Sequence, residues 1–193
     1  MRGLRLLMCA LAMAACGAAA GPDVLIVYDG GPVYKTVAPA ADDAVAGASA
    51  AVVNCRTVAE RLGAELEARK LRVRLAAAAD IHDRRELLAA PLLVLGSPVR
   101  FSNVSWEMKR LFDEHLYRIR ATAPPELAKH RIAGFAVGEV EPAARATLEA
   151  MRAAVEDCGG KLEQTRVLLS GTSRVEAARD IREFAAALTA AAR

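Results

Sequence analysis

The chain has 193 residues, 54% hydrophobic, 25% charged and only 4% aromatic, with a formal net charge of +3. That length suits one core of ordinary domain size, so a single domain is expected. Lysines and arginines are scattered singly along amphipathic segments without interleaved aromatics, which argues against nucleic-acid binding.

The first 21 residues read as a targeting segment outside the fold. Arg2 and Arg5 precede an apolar run from Leu6 to Ala15, the charged and apolar regions of an export signal. About ten residues are too few for a spanning helix, which needs about 20. The run closes as Leu11-Ala12-Met13-Ala14-Ala15-Cys16-Gly17, which resembles the lipobox of bacterial lipoproteins, with Cys16 as the acylated residue. Met13 stands where leucine is commoner. Ordinary cleavage after Ala12-Met13-Ala14, or a start codon placed too early, are the alternatives. The expectation is a periplasmic or membrane-attached lipoprotein with one domain over 22–193.

Val24 to Tyr28 is an apolar run that predicts a first strand, and Thr57 to Lys70 a helix with Val58, Leu62 and Leu66 on one stripe. Leu71 to Leu75 alternates leucine or valine with arginine, as a half-exposed edge strand does. Asp80 to Ala89 predicts a short helix, Leu92 to Leu95 a strand buried on both faces, and Val104 to Ile119 a helix. Pro124 and Pro125 mark a loop before a strand at Ile132 to Val137. Pro142 suits the first turn of a helix that runs to Asp157 and stops at Gly159-Gly160. A strand at Leu162 to Leu169 and a helix at Arg174 to Ala191 complete an alternation that predicts a parallel, doubly wound α/β sheet.

The most informative stretch is LLVLGSPVRFSNVSWEMKRLFDEH, Leu92 to His115, where a buried strand ends in Gly96-Ser97-Pro98, a polar loop and a helix. In open α/β sheets ligands bind at such loops. The order of elements together with this stretch resembles the flavodoxin-like family, especially its FMN-dependent NAD(P)H:quinone oxidoreductase and iron-sulfur flavoprotein branches. The resemblance covers Asp23 to the C-terminus with one interruption. It implies a three-layer sandwich, a five-stranded parallel sheet in the order 2-1-3-4-5 with helices on both faces. It further implies FMN as cofactor, with Ser97, Pro98, Val99, Arg100, Phe101, Asn103 and Val104 on the ring-contacting loop and Trp106 just beyond. Phe101 and Trp106 capping the sheet's end is the plainer alternative.

In this family a compact loop between the first strand and first helix holds the FMN phosphate with backbone amides and a helix N-terminus. Here the loop carries an insertion at about 30–55, and loops of such length are usually functional or disordered. By the resemblance Asn54, Arg56 and Thr57 fall at its end, with Thr57 capping the helix and holding phosphate and Arg56 supplying charge. Asn54-Cys55 replaces the usual Thr-Gly. Within the insertion, Asp42 to Ser49 resembles the pattern at which an exported flavin transferase links FMN to a hydroxyl, with Ser49 as acceptor and Ala46 departing from the pattern. An alanine-rich helical piece is the alternative. The third family loop falls on Val137 to Pro142 and places Gly138 and Glu139 at the cofactor; Glu139 and Glu141 there would disfavour an anionic reduced ring, or be solvated acids at a helix start.

Cys55 and Cys158 are predicted at opposite ends of the sheet, too far apart for a disulfide. Cys55 is either a thiol activated by a helix N-terminus or a buried cysteine. His82, His115 and His130 show no metal-ligand spacing, and no metal is proposed. The reading is an exported FMN-binding reductase or electron carrier. A nicotinamide cofactor, a quinone, a membrane redox partner and a second copy of the chain are the candidate partners. The competing class is a binding protein that keeps the fold, has lost FMN, and uses the insertion as a partner surface.

Overall fold

The computed structural model describes residues 21–31, 53–120 and 125–191. The lipobox with Cys16, the Asp42 to Ser49 pattern and most of the insertion lie outside the described residues. The elements are β1 (Val24–Tyr28), α1 (Cys55–Ala68), β2 (Val73–Ala77), α2 (Arg84–Leu87), β3 (Leu92–Pro98), α3 (Trp106–Leu111), α4 (Tyr117–Arg120), β4 (Arg131–Gly138), α5 (Glu141–Asp157), β5 (Leu162–Leu169) and α6 (Arg174–Ala191). Five parallel strands stand in the order β2-β1-β3-β4-β5, the order the resemblance implies.

Alternation along the central strands sorts side chains between two helical layers. Val24, Ile26, Leu92 and Val94 pack with α1 and α6, while Leu25, Val27, Leu93 and Leu95 pack with α2, α3, α4 and α5. All of these strand residues are buried, which is why β1 and β3 read as continuous apolar runs. Edge strand β2 instead leaves Arg74 and Leu75 exposed.

Several boundaries differ from expectation for reasons of capping. The first helix starts at Cys55, because Asn54 caps it and Thr57 is the third helical residue. The helix predicted from Asp80 is reduced to a 3-10 turn at Ala78–Asp80 and to α2, whose cap is Asp83. The helix predicted from Val104 starts at Trp106, since the Ser105 hydroxyl accepts the Met108 amide at 3.3 Å. It then passes through a π-helical turn, Phe112–Leu116, into α4. At the end of α5, Gly159 has φ of 80°, the left-handed conformation that glycine accepts, and Gly160 N–H bonds Val155 O at 3.0 Å.

Cys55 and Cys158 lie in opposite layers of the sandwich. Burial pushes the Cys55 thiol far above its ordinary value, so it is a core residue and not an activated nucleophile. Cys158 is raised by the same cause.

Candidate functional site

The carboxyl ends of β1, β3 and β4 lie side by side, with Tyr28 opposite Gly96 and Pro98 opposite Val137. Three loops therefore share one edge of the sheet. The Asp29 amide donates to Gly96 O at 3.1 Å and the Val99 amide to Val137 O at 2.8 Å, which ties the loops to one another. At Gly138 a Cβ would lie 2.5 Å from Val99 Cγ2, so glycine lets the β4 end close against the β3 loop.

The loop after β3 is a small hairpin. Arg100 and Asn103 exchange both backbone hydrogen bonds at 2.9 Å, and the two residues between them, Phe101 and Ser102, have φ of 50° and 60°. That is the geometry of a two-residue turn that normally takes asparagine and glycine. A bulky L-residue there costs roughly 1–2 kcal/mol, and such strain collects where function requires it. Its result is a fully exposed Phe101; Trp106, the first residue of α3, is 71% exposed as well. The base of the hairpin is pinned from within. The Ser97 hydroxyl is wholly buried, donates to Pro98 O at 2.8 Å and accepts the Ser105 amide at 2.9 Å. Asn103 Oδ1 accepts the Val104 amide at 2.7 Å, and the buried Thr147 hydroxyl of α5 reaches Asn103 O at 3.1 Å.

Of the residues assigned to this loop, Arg100, Phe101 and Asn103 are exposed, Pro98 and Val99 half-buried, and Ser97 and Val104 buried. Ser97 is thus a positioning residue for the hairpin, with its hydroxyl engaged inside it.

The β1–α1 junction is built differently. Asn54 Oδ1 accepts the Thr57 amide at 2.9 Å, while Thr57 Oγ1 accepts the Asn54 amide at 3.1 Å and donates to Asn54 O at 3.0 Å. The capping box engages the Thr57 hydroxyl, which was expected to hold phosphate. The amides of Cys55 and Arg56 have no acceptor among the described residues. Arg56 Nη2 donates to Gly30 O at 3.1 Å, which holds its guanidinium at the end of β1. Asp29, which sequence reasoning overlooked, also stands here. Its carboxylate accepts the Gly31 amide at 2.6 Å and lies close enough to Cys55 to act on the thiol electrostatically. An Asp-Gly-Gly turn directly after an apolar strand was the signal available in the sequence.

At the β4–α5 loop Gly138 is half-buried, while Glu139, Val140 and Glu141 are exposed. Glu141 pairs with Arg145 one helical turn along, at 2.5 Å.

No protein-family model matches the sequence, and no curated protein matches it. Solved structures do match along nearly the whole chain. Oxidised Flavodoxin 2 from Bacillus cereus superposes with a TM-score of 0.63 at 20% identity, covering 88% of this chain and 99% of its own. A WrbA-like flavodoxin from Agrobacterium tumefaciens gives 0.61 at 16%, with 90% and 98% covered. The apo form of an NADH:FMN oxidoreductase gives 0.63 at 14%, with 87% and 89% covered. The chain has the flavodoxin-like fold. The three loops described above are those at the carboxyl edge of that sheet, where doubly wound proteins place their ligands. Among the described residues, no helix is long and apolar enough to cross a membrane.

Proposed function

We propose that this flavodoxin-like domain binds FMN at the carboxyl edge of its sheet and serves as a redox protein, a reductase or an electron carrier. The observation that carries the reading is the strained, internally pinned hairpin that holds Phe101 out of the fold. An exposed aromatic on a rigid support is suited to cover a planar apolar ring. The exposed hairpin edge, Arg100 to Asn103, would meet the ring's polar rim, and the Cys55 and Arg56 amides, which have no acceptor among the described residues, would meet the phosphate together with the Arg56 guanidinium. Bound FMN would supply the electron-accepting and electron-donating chemistry. The chain's part is to hold the ring, exclude water from one face and set the local charge. Glu139, exposed beside the same edge, would add negative potential there.

The fit is uneven, and one feature favours the reading in which the fold is kept without FMN. Asp29 places a carboxylate at the junction where a phosphate would bring further negative charge.

Export, with Cys16 as lipid anchor and a membrane partner for electrons, is part of the proposal. It is supported by the Arg-flanked apolar run and the small residues before Cys16. A nicotinamide donor, a quinone acceptor and a second copy of the chain are the other partners this reading admits. The deciding experiment is the visible absorbance of the full chain purified from membrane and periplasmic fractions, before and after acid precipitation. Flavin absorbance that leaves with the supernatant is the expected result, and absorbance that stays in the pellet points to Ser49. Colourless protein that takes up no added FMN would sink the redox reading.

A further inference from the structure

Between α2 and the π-helical turn lies a second cleft, with none of its lining residues among those of the three loops above. It has a volume of about 320 Å³ and is lined by His82, Asp83, Arg84, Arg85, His115 and Arg118. Three guanidiniums and two imidazoles face one carboxylate, and that carboxylate is engaged, since Asp83 Oδ1 caps α2 through the Arg85 amide at 2.8 Å. Three other acids on the neighbouring elements are committed elsewhere. Glu86 pairs with Arg74, Asp113 with Lys109 and Glu114 with Arg110. Many arginines elsewhere, such as Arg69, Arg120 and Arg166, have acidic partners; among the described residues Arg84, Arg85 and Arg118 form no salt bridge, and one cleft brings these three together.

Like charges brought together without counter-charge destabilise a fold, so their convergence on one concavity calls for an anion. His115 lies in the π-helical turn, a rare distortion that is concentrated at functional sites. Guanidinium forks match tetrahedral oxyanions in geometry, and imidazole N–H groups add donors whichever tautomer is present. The volume is at the lower end of small-molecule sites, enough for a phosphorylated fragment and too small for a whole dinucleotide.

We infer that the cleft between α2 and the π-helical turn is a binding site for a small phosphate-bearing ligand, a phosphate ester or pyrophosphate, separate from the sheet-edge site. Arg84, Arg85 and Arg118 would take the phosphate oxygens, and His82 and His115 would complete the donor set.

The test is calorimetric titration of the full chain with inorganic pyrophosphate at fixed ionic strength and pH. Saturable binding is expected. The exposed pair Arg85→Ala with Arg118→Ala should weaken it about tenfold or more, as should Arg118→Glu alone, with circular dichroism confirming the fold of each. Arg61→Ala, an exposed change on α1, should leave it unaltered. Arg56→Ala separates this site from the proposed FMN phosphate site. Retained binding supports the cleft, and loss of binding would assign the pyrophosphate to the β1–α1 junction and overturn the inference. No saturation below about 10 mM, equal affinity in the double variant, or tighter binding of citrate than of pyrophosphate would each overturn it as well.

Discussion

The β3 hairpin and the β1–α1 junction lie on the same sheet edge yet are stabilised in contrasting ways. At the hairpin, buried groups hold the backbone from below: Ser97, Thr147 and the glycine contacts of β3 and β4 are all interior. At the junction, a local capping box and an Asx turn hold the chain, with Arg56 reaching across to Gly30. Interior support can sustain strain, and the hairpin carries it at Phe101 and Ser102. Local support fixes only its own few residues. The proposed ring side of the site is therefore over-determined by the core, while the proposed phosphate side is an autonomous helix start beside an acidic turn.

Adding one methyl group at each end of that contrast should separate them most widely. A Cβ at Gly96 would lie 2.2 Å from Phe135 Cζ in the closed core, whereas one at Gly30 would lie 2.9 Å from Ala77 Cβ near the edge strand. Gly96→Ala should destabilise the protein by about 3 kcal/mol and Gly30→Ala, where the backbone after β1 must shift away from Ala77, by about 1 kcal/mol, read by denaturant unfolding. Equal losses would contradict the distinction.

Removing one polar group from each side should give a smaller difference of the same sign. Ser97→Ala leaves the buried Ser105 amide without its acceptor, at a cost of about 2 kcal/mol. Asn54→Ala loses the side-chain half of the capping box, which costs about 1 kcal/mol. If Asn54→Ala proves the more damaging, the junction is more than a local cap.

Much of this contrast was written in residue pattern, and the part that was not has a physical reason. Buried strands announce themselves through continuous apolar runs, so Val24–Tyr28 was placed to the residue; edge strand Leu162–Leu169, with Glu163 to Thr165 exposed, was placed equally well without such a run. Gly159 and Pro142 marked the ends of α5 because one accepts positive φ and the other lacks an N–H. The positive φ of Phe101 was illegible, because neither residue of the turn is the glycine or asparagine that signals it. Reciprocal capping by Asn54 and Thr57 moved the start of α1, since a threonine can serve either as the cap or as the third helical residue. His82 and His115 are 33 positions apart in sequence, and only the tertiary fold brings them to one cleft.

Two substitutions test how ligand affinity depends on the two sides. Phe101→Asn accepts the left-handed backbone, so it should stabilise the chain by about 1 kcal/mol while weakening FMN uptake about tenfold. Asp29→Asn keeps an oxygen for the Gly31 amide and removes a negative charge beside the phosphate position. It should tighten FMN about threefold to tenfold and leave riboflavin, which has no phosphate, unchanged. Flavin fluorescence quenching reads both. Equal tightening of riboflavin would show that Asp29 acts on the ring and not on the phosphate.

The smallest expected effect concerns edge strand β2, which the core supports least. Arg74 on β2 pairs with Glu86 of α2 at 2.5 Å, and Arg72 just before the strand pairs with Asp23 at 2.6 Å. Hydrogen bonds from these arginines, together with backbone amides, hold both carboxyls at about 2, well below the usual carboxylate range. A carboxyl whose folded value is depressed stabilises the fold above its unfolded value, near 4, and loses that contribution as pH falls toward 2. Both pairs are partly exposed and screened, so Arg74→Gln should cost no more than about 0.5 kcal/mol at neutral pH. The amides of His82 and Asp83 still reach Glu86, so part of its depression should survive the substitution. The gap between wild type and Arg74→Gln in acid unfolding should narrow below about pH 4 and close only as pH falls to about 2. A gap that persisted there would mean that Arg74 supports β2 by packing of its aliphatic stem, not by charge.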